Sequence, residues 1–329
     1  MIKIKLTTTN PEFPLIRQTP NSIGTWDNCI FYLNQDVKEC DYWVVYDNLI
    51  KIEKTKCPKR NVILITGEPP TIKKYSQTFV KQFYNVITCN RNIIHANVTY
   101  IQQGLPWMVG AKFLRNEKKW DNINFKSYDD FINNDYSKKT KEISIVVSNK
   151  TFTKGHEQRV KFVNKLKEIF GDRIDIFGRG FNEIEDKFEA ISLYKYTIVI
   201  ENSSYCDYWT EKIADAFLCG TYPIYYGCTN IYEYFPKGSL ALIDINNIEE
   251  SVNIINSILN SNEFENSLNL IQESKNLILN RYNLFPLIVN TIKKMENIHS
   301  ESVKVTLYPE KRFQKKIKFI IKKVLKKII

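Results

Sequence analysis

Thr210, Glu211 and Lys212 stand side by side, and their types suit a nucleotide. A carboxylate accepts hydrogen bonds from both hydroxyls of a ribose, and a lysine supplies a point charge to a phosphate. On its own the triplet is an ordinary helix start, with a capping hydroxyl and a solvated ion pair. Its setting gives it weight. Residues 196–200 are a β-branched and apolar run that reads as a buried parallel strand. A polar loop, 201–208, leads from that run towards the triplet. Ile213, Ala216 and Phe217 then line one helical face, and Gly220 stops the helix. A second strand, 222–226, ends at Gly227. In a β-loop-α-β unit of this kind, ligands gather at the carboxyl ends of the strands, beside the helix N-terminus. Glu201, Asn202 and Tyr208 lie on the loop in front of that position. Asn202 either fixes the loop or bonds a ligand, and Tyr208 either packs or covers a phosphate.

Two further places are suited to chemistry. The strand 141–148 ends in Ser148, and the helix after it carries Arg159. An arginine in the first turns of such a helix can fork onto a diphosphate, or it can be one more surface cation among Lys161, Lys165 and Lys167. Lys154 is a rival for the same role. Glu68 closes the run NVILITGE. A carboxylate at that strand end either takes a proton from an attacking hydroxyl or is a polar residue before the Pro69-Pro70 turn. His95 and Asp27 are weaker candidates for that base. No D-x-D motif ends a strand, so no metal site is expected. There is no Walker sequence, and Gly178-Arg179-Gly180 is too short to count as a dinucleotide fingerprint.

The words YKYTIVIENS, DYWTEKI-DAF, G-YPIYYG and NI-EYFP resemble the donor-binding signature of the family 10 glycosyltransferases, the α-1,3/1,4-fucosyltransferases. The resemblance covers residues 141–245 well and the first half weakly. It implies an α/β protein of the GT-B fold, with two Rossmann-like domains facing a cleft. It implies that Glu211 binds ribose, that Lys212 and Arg159 neutralise a diphosphate, and that Asn202 and Tyr208 line the donor pocket with Glu201 and Ser148 nearby. It implies Glu68 as general base, GDP-fucose as donor substrate, and no cofactor. The expected reaction is an inverting transfer of L-fucose to a hydroxyl, O3 of GlcNAc in the family's habit, on a surface glycan such as lipopolysaccharide O-antigen. A different GDP-linked sugar, or a non-catalytic membrane-associated glycan-binding protein, stays open.

The chain has 329 residues, 43% of them hydrophobic, which is enough for two cores. Periodicity alone supports α/β with two halves. Apolar runs at 2–6, 42–46, 61–66 and 83–88 read as strands of the first half, while 29–33 reads equally as strand or helix. The charge-rich stretch 116–141 reads as the approach to a boundary. We therefore expect an acceptor-binding domain over 1–140, a donor-binding domain over 141–297 and a basic amphipathic tail over 298–329. The net charge is +11, yet Lys311 and the residues after it hold nine Lys or Arg and no acid, leaving the rest close to neutral. The basicity is a property of the tail and does not by itself argue for a nucleic-acid enzyme, so no nucleic-acid partner is expected. Phe313, Ile317, Ile320, Ile321, Val324, Leu325 and Ile328 recur at helical spacing, so the tail is expected to lie on an anionic membrane surface. Seven cysteines at irregular spacing, with no C-x-x-C, are expected to be reduced. No signal peptide or spanning segment is visible, so the chain resembles the bacterial type and is expected in the cytoplasm, peripheral on the inner face of the cell membrane.

Overall fold

The computed structural model describes all residues except 137, 150–153, 296–299 and 314–329. Two units make up the chain. Met1–Pro11, Gly24–Gln103 and Ile288–Ile329 form one, and Glu12–Ile23 with Gly104–Leu287 form the other.

In the first unit the apolar runs become strands. They are β1 (Ile2–Thr7), β2 (Thr25–Trp26), β3 (Cys29–Leu33), β4 (Tyr42–Tyr46), β5 (Glu53–Pro58), β6 (Val62–Ile65), β7 (Asn85–Thr88) and β8 (Val98–Tyr100). One sheet holds them in the order β2-β3-β1-β4-β6-β7-β8, with β5 outside it. Only β2 is antiparallel to its neighbour. Every residue of β6 is buried, as a strand covered on both faces must be. Trp43, Val45, Leu64 and Val86 pack with Phe79 of helix α1 (Gln77–Val80) in the core of this unit. The ambiguous stretch 29–33 is a strand because it completes the parallel edge beside β1.

The second unit begins with the short hairpin β9 (Phe113–Leu114) and β10 (Lys119–Trp120) and with helix α2 (Tyr128–Asn133). Its sheet contains β11 (Lys141–Val146), β12 (Ile174–Phe177), β13 (Tyr194–Ile200), β14 (Tyr222–Tyr226) and β15 (Ala241–Leu242). All pairs are parallel, in the order β12-β11-β13-β14-β15. Helices α3 (Lys154–Phe170), α4 (Lys187–Ile191) and α5 (Glu211–Leu218) connect these strands. Both units are thus Rossmann-like α/β, as expected. After β15 come α6 (Ile248–Leu259), α7 (Glu263–Asn266), α8 (Leu268–Leu277) and α9 (Leu284–Lys294). The helical run is broken at Ser267, between α7 and α8, and ends in a π turn, Ile278–Tyr282.

The division of the chain differs from the expected break near 140. Residues 104–140 belong to the second unit, because their polar groups are spent there. The amides of Met108 and Val109 donate to Asp215 at 2.9 and 3.0 Å. Gly110 donates to Asp186 at 2.9 Å. Lys139 reaches the carbonyls of Ser192 and Cys219 at 2.8 and 2.6 Å, closing the C-terminal ends of α4 and α5. The loop Glu12–Ile23 joins the same unit through buried Arg17, which donates to the carbonyl of Trp107 at 2.7 Å. A charged stretch looks like a linker by composition, but its Lys139 satisfies the carbonyls at two helix ends.

The expected tail is divided too. Its strand β16 (Ser302–Leu307) pairs antiparallel with β5 in the first unit. The basic segment after Phe313 lies outside the described residues. No helix among the described residues is long and apolar enough to cross a membrane.

Candidate functional site

Strand β13 delivers Glu201 at its carboxyl end, fully buried. A carboxylate there must be paired or neutralised. Its Oε1 accepts from the Thr210 amide at 2.8 Å, and its Oε2 from the Thr210 hydroxyl at 2.8 Å and from Lys212 Nζ at 3.0 Å. Thr210 is the N-cap of α5, its hydroxyl also accepting from the Lys212 amide at 3.3 Å. The strand end and the helix start are therefore one hydrogen-bonded unit. Gly227 makes room for it: a Cβ there would meet the Glu201 side chain at 2.4 Å and the Tyr225 hydroxyl at 2.5 Å.

Lys212 stands 3.5 Å from Glu211 Oε1, and Lys187 of α4 stands 3.3 Å from the same oxygen. Lys187 also holds Asp215 at 2.8 Å. Glu201, Lys212, Glu211, Lys187 and Asp215 form a continuous chain of alternating charge. Burial works against the Glu211 carboxylate, but Lys212 and Lys187 outweigh it and hold the group at about 2. Burial pushes the carboxyl of Glu201 up, against the pull of Lys212. For Lys212 burial acts downward, and Glu201 with Glu211 reverses it, so the ammonium stays charged.

Arg159 sits on α3 with 6% of its surface exposed. Its Nη1 donates to Asn202 Oδ1 at 2.7 Å and its Nη2 to the Ser148 carbonyl at 3.4 Å. Nε has no hydrogen-bond partner among the described residues. Burial lowers its pKa, with only the more distant field of Glu201 opposing. This cation is held by neutral groups in a place where charge is costly. The turn at Gly178 and Gly180 packs against the same strand end: side chains there would meet the Val147 carbonyl at 2.1 Å and Asn149 at 2.2 Å.

Ser148, Arg159, Glu201, Asn202, Glu211 and Lys212 thus come together, Ser148 through its main chain. Tyr208, on the loop, is 2% exposed. Its neighbour Asp207, at φ +60°, accepts from Asn230 at 2.9 Å and from the Tyr234 hydroxyl at 2.7 Å, which pins the loop. The side chain of the rival Lys154 lies outside the described residues. Sequence reasoning missed Lys187 and Asp215. A signal was present: Asp215 interrupts the apolar face of α5, and a carboxylate among Ile213, Ala216 and Phe217 needs a cation. Glu68 belongs to the first unit, just past β6, and is partly exposed. Of the weaker candidates, Asp27 pairs with Lys293 at 2.7 Å, and His95 Nδ1 accepts from the Asn97 amide at 3.1 Å. No group of three or more His, Cys, Asp or Glu among the described residues is placed to hold a metal ion.

Comparison with known proteins bears on this arrangement. The model of glycosyltransferase family 10 (fucosyltransferase), C-terminal part, matches residues 136–267. The alpha-(1,3)-fucosyltransferase FucT of Helicobacter pylori is 36% identical over 77 residues, which is 23% of this chain and 16% of that protein. The 4-galactosyl-N-acetylglucosaminide 3-alpha-L-fucosyltransferase 9 of Mus musculus is 32% identical over 111 residues, 32% of this chain and 30% of that one. The matches thus span less than a third of either relative's length. An alpha-glucosyltransferase solved with UDP and a 13-mer DNA has a TM-score of 0.50 at 10% identity, covering 89% of this chain and 100% of the other. That likeness is one of fold, and the fold is GT-B with its Rossmann-like units. The segment 136–267, which matches the family 10 model, is the one that holds the buried charge chain and Arg159.

Proposed function

We propose that this chain transfers L-fucose from GDP-fucose to a sugar hydroxyl, with O3 of an N-acetylglucosamine in a surface glycan as the acceptor position. The observation that carries this reading is Arg159, a buried guanidinium bonded, among the described residues, only to neutral oxygens at the end of a parallel strand. Such a group is completed by an anion, and a diphosphate offers the geometry its fork requires. In this reading Glu211, held ionised by two lysines, accepts the ribose hydroxyls, and Lys212 joins Arg159 on the diphosphate. Asn202 fixes the guanidinium. The names of the two curated relatives support fucose and α-1,3 linkage.

The step we propose is a single displacement. Glu68 accepts the acceptor's hydroxyl proton as that oxygen bonds to C1 of fucose. The C1–O bond to the diphosphate breaks, and its electron pair leaves with GDP, stabilised by Arg159 and Lys212. The configuration at C1 inverts. Glu68→Gln is expected to lower kcat by about 100-fold or more while leaving GDP affinity unchanged. Calorimetry of the full chain against GDP, GDP-fucose, GDP-mannose and UDP-glucose, beside transfer rates, checks both parts. Tighter binding of another GDP-sugar removes the fucosyl assignment, and no nucleotide binding at all removes the enzyme reading.

We also propose that the segment 311–329 holds the enzyme on the inner face of the cell membrane. Its nine cations and interleaved Ile, Leu and Val support that reading. Deleting 311–329 is expected to abolish sedimentation with vesicles of anionic lipid and to spare transfer to a soluble acceptor. Unchanged sedimentation refutes it.

A further inference from the structure

The reading of Glu68 as base leaves a question of geometry. A carboxylate on a turn just past a strand is useful only if the turn is held. Gly67 and Glu68 follow β6, and Asp47 follows β4, its parallel neighbour. The phenol oxygen of Tyr75 accepts from the amide of Gly67 at 3.1 Å and from the amide of Glu68 at 3.1 Å. Its hydroxyl donates to Asp47 Oδ1. The Gly67 amide also reaches that oxygen, at 3.3 Å. On its other side Asp47 is held by Lys73 at 2.8 Å. Lys73 lies 4.4 Å from the centre of the Tyr75 ring and 3.6 Å from Glu310. Glu310, 2% exposed, accepts from the amide of Ser76 at 2.7 Å, next to Tyr75 in the chain.

Three features set this cluster apart from ordinary turn chemistry. The Tyr75 hydroxyl is saturated: it accepts twice and donates once. Burial, then the nearby Asp47 carboxylate, pushes its pKa well above the usual phenol value, so the donor proton stays in place. Asp47 holds φ +65°, a left-handed backbone that is unfavourable for a non-glycine residue and tends to persist where function needs it.

We propose that Tyr75 is the positioning residue for Glu68: its hydroxyl, oriented by Asp47 and Lys73, pins the Gly67-Glu68 peptide and so fixes where the base carboxylate stands. The inference rests on the assignment of Glu68 as base, and the test separates the two. A misplacement of a catalytic group by about 1 Å costs on the order of 100-fold in rate. Tyr75→Phe, which keeps the ring and removes only the hydroxyl, is therefore expected to lower kcat by roughly ten- to a hundredfold. Donor KM and GDP affinity are expected to stay within about twofold, since the donor residues belong to the other unit.

The decisive measurement is a double-mutant cycle on the full chain, with GDP-fucose and a GlcNAc-containing oligosaccharide. In the Glu68→Gln background, Tyr75→Phe is expected to cost nothing further, because a positioning residue has no effect once the group it positions is gone. Amide hydrogen exchange at Gly67 and Glu68 is expected to speed up in Tyr75→Phe. If Glu68→Gln leaves transfer unchanged, the base assignment fails and the inference falls with it. If Glu68→Gln is slow but Tyr75→Phe is as fast as wild type, or costs the same in both backgrounds, Tyr75 does not act through Glu68. Should Tyr75→Phe not fold, Lys73→Met is put through the same cycle, with a smaller loss of kcat expected that again vanishes with Glu68→Gln. Its absence overturns the proposal.

Discussion

Arg159→Ala is expected to weaken GDP binding by roughly 150-fold and to leave the unfolding midpoint almost unchanged. Charge-assisted hydrogen bonds are worth about 1.5–3 kcal/mol each, and a forked contact supplies two. A loss of about 3 kcal/mol corresponds to that change in affinity. Stability is spared because the guanidinium has no carboxylate in contact among the described residues. Among the described residues, removing it orphans only Asn202 Oδ1 and, at 3.4 Å, one carbonyl. It also takes out a cation whose burial is unfavourable. Arg159→Lys is expected to recover little, because an ammonium cannot present the planar fork. Calorimetry with GDP and thermal unfolding, run side by side, check this. Unchanged GDP affinity would remove Arg159 from the donor site.

Lys212→Met is expected to behave in the opposite way and to cost the fold about 3–5 kcal/mol as well as GDP binding. Glu201 has no exposed side-chain surface, and Lys212 is its only ammonium partner, at 3.0 Å, among the described residues. Taking the cation away leaves a buried carboxylate with only Thr210 to hold it. The deficit is expected to shrink as the pH falls. Burial already raises the Glu201 carboxyl, and without Lys212 it rises further above its unfolded value. A group of that kind takes up protons on folding, so acid favours the folded state. Adding Glu201→Gln to Lys212→Met is expected to restore most of the stability and none of the GDP affinity. Urea unfolding of the single and double variants measures the first, and calorimetry the second. If both return together, Lys212 serves the fold and not the ligand.

The contrast between these two cations shows what sequence can and cannot disclose. Both are basic residues near a helix start, and periodicity treats them alike. The difference is whether a carboxylate faces them, and that depends on residues from elsewhere in the chain.

Locally encoded features were legible. The run 196–200 is read as a parallel strand because its residues must be buried on both faces, and it lies in β13. The start of α5 at Glu211, capped by Thr210, follows from side-chain chemistry within three residues. The apolar runs that became β1, β4, β6 and β7 carry their own period, so their existence needed no tertiary information, although their ends did. The grouping of Glu201, Asn202, Glu211 and Lys212 follows from one β-loop-α connection, which is short enough to be geometrically determined.

Non-local pairing was decided only by the tertiary structure. Lys187 meets Glu211 and Asp215 from the preceding helix. The stretch 104–140 belongs to the second unit because Asp215, Asp186 and the ends of two helices need its amides and its lysine. Strand β16 closes the first unit by pairing with β5, more than two hundred residues earlier. Asp47 and Tyr75 meet behind Glu68 because parallel strands align their carboxyl ends. None of these pairs has a spacing or a period in the chain. Each exists because a buried polar group must find a partner, and only the folded topology determines which partner is within reach.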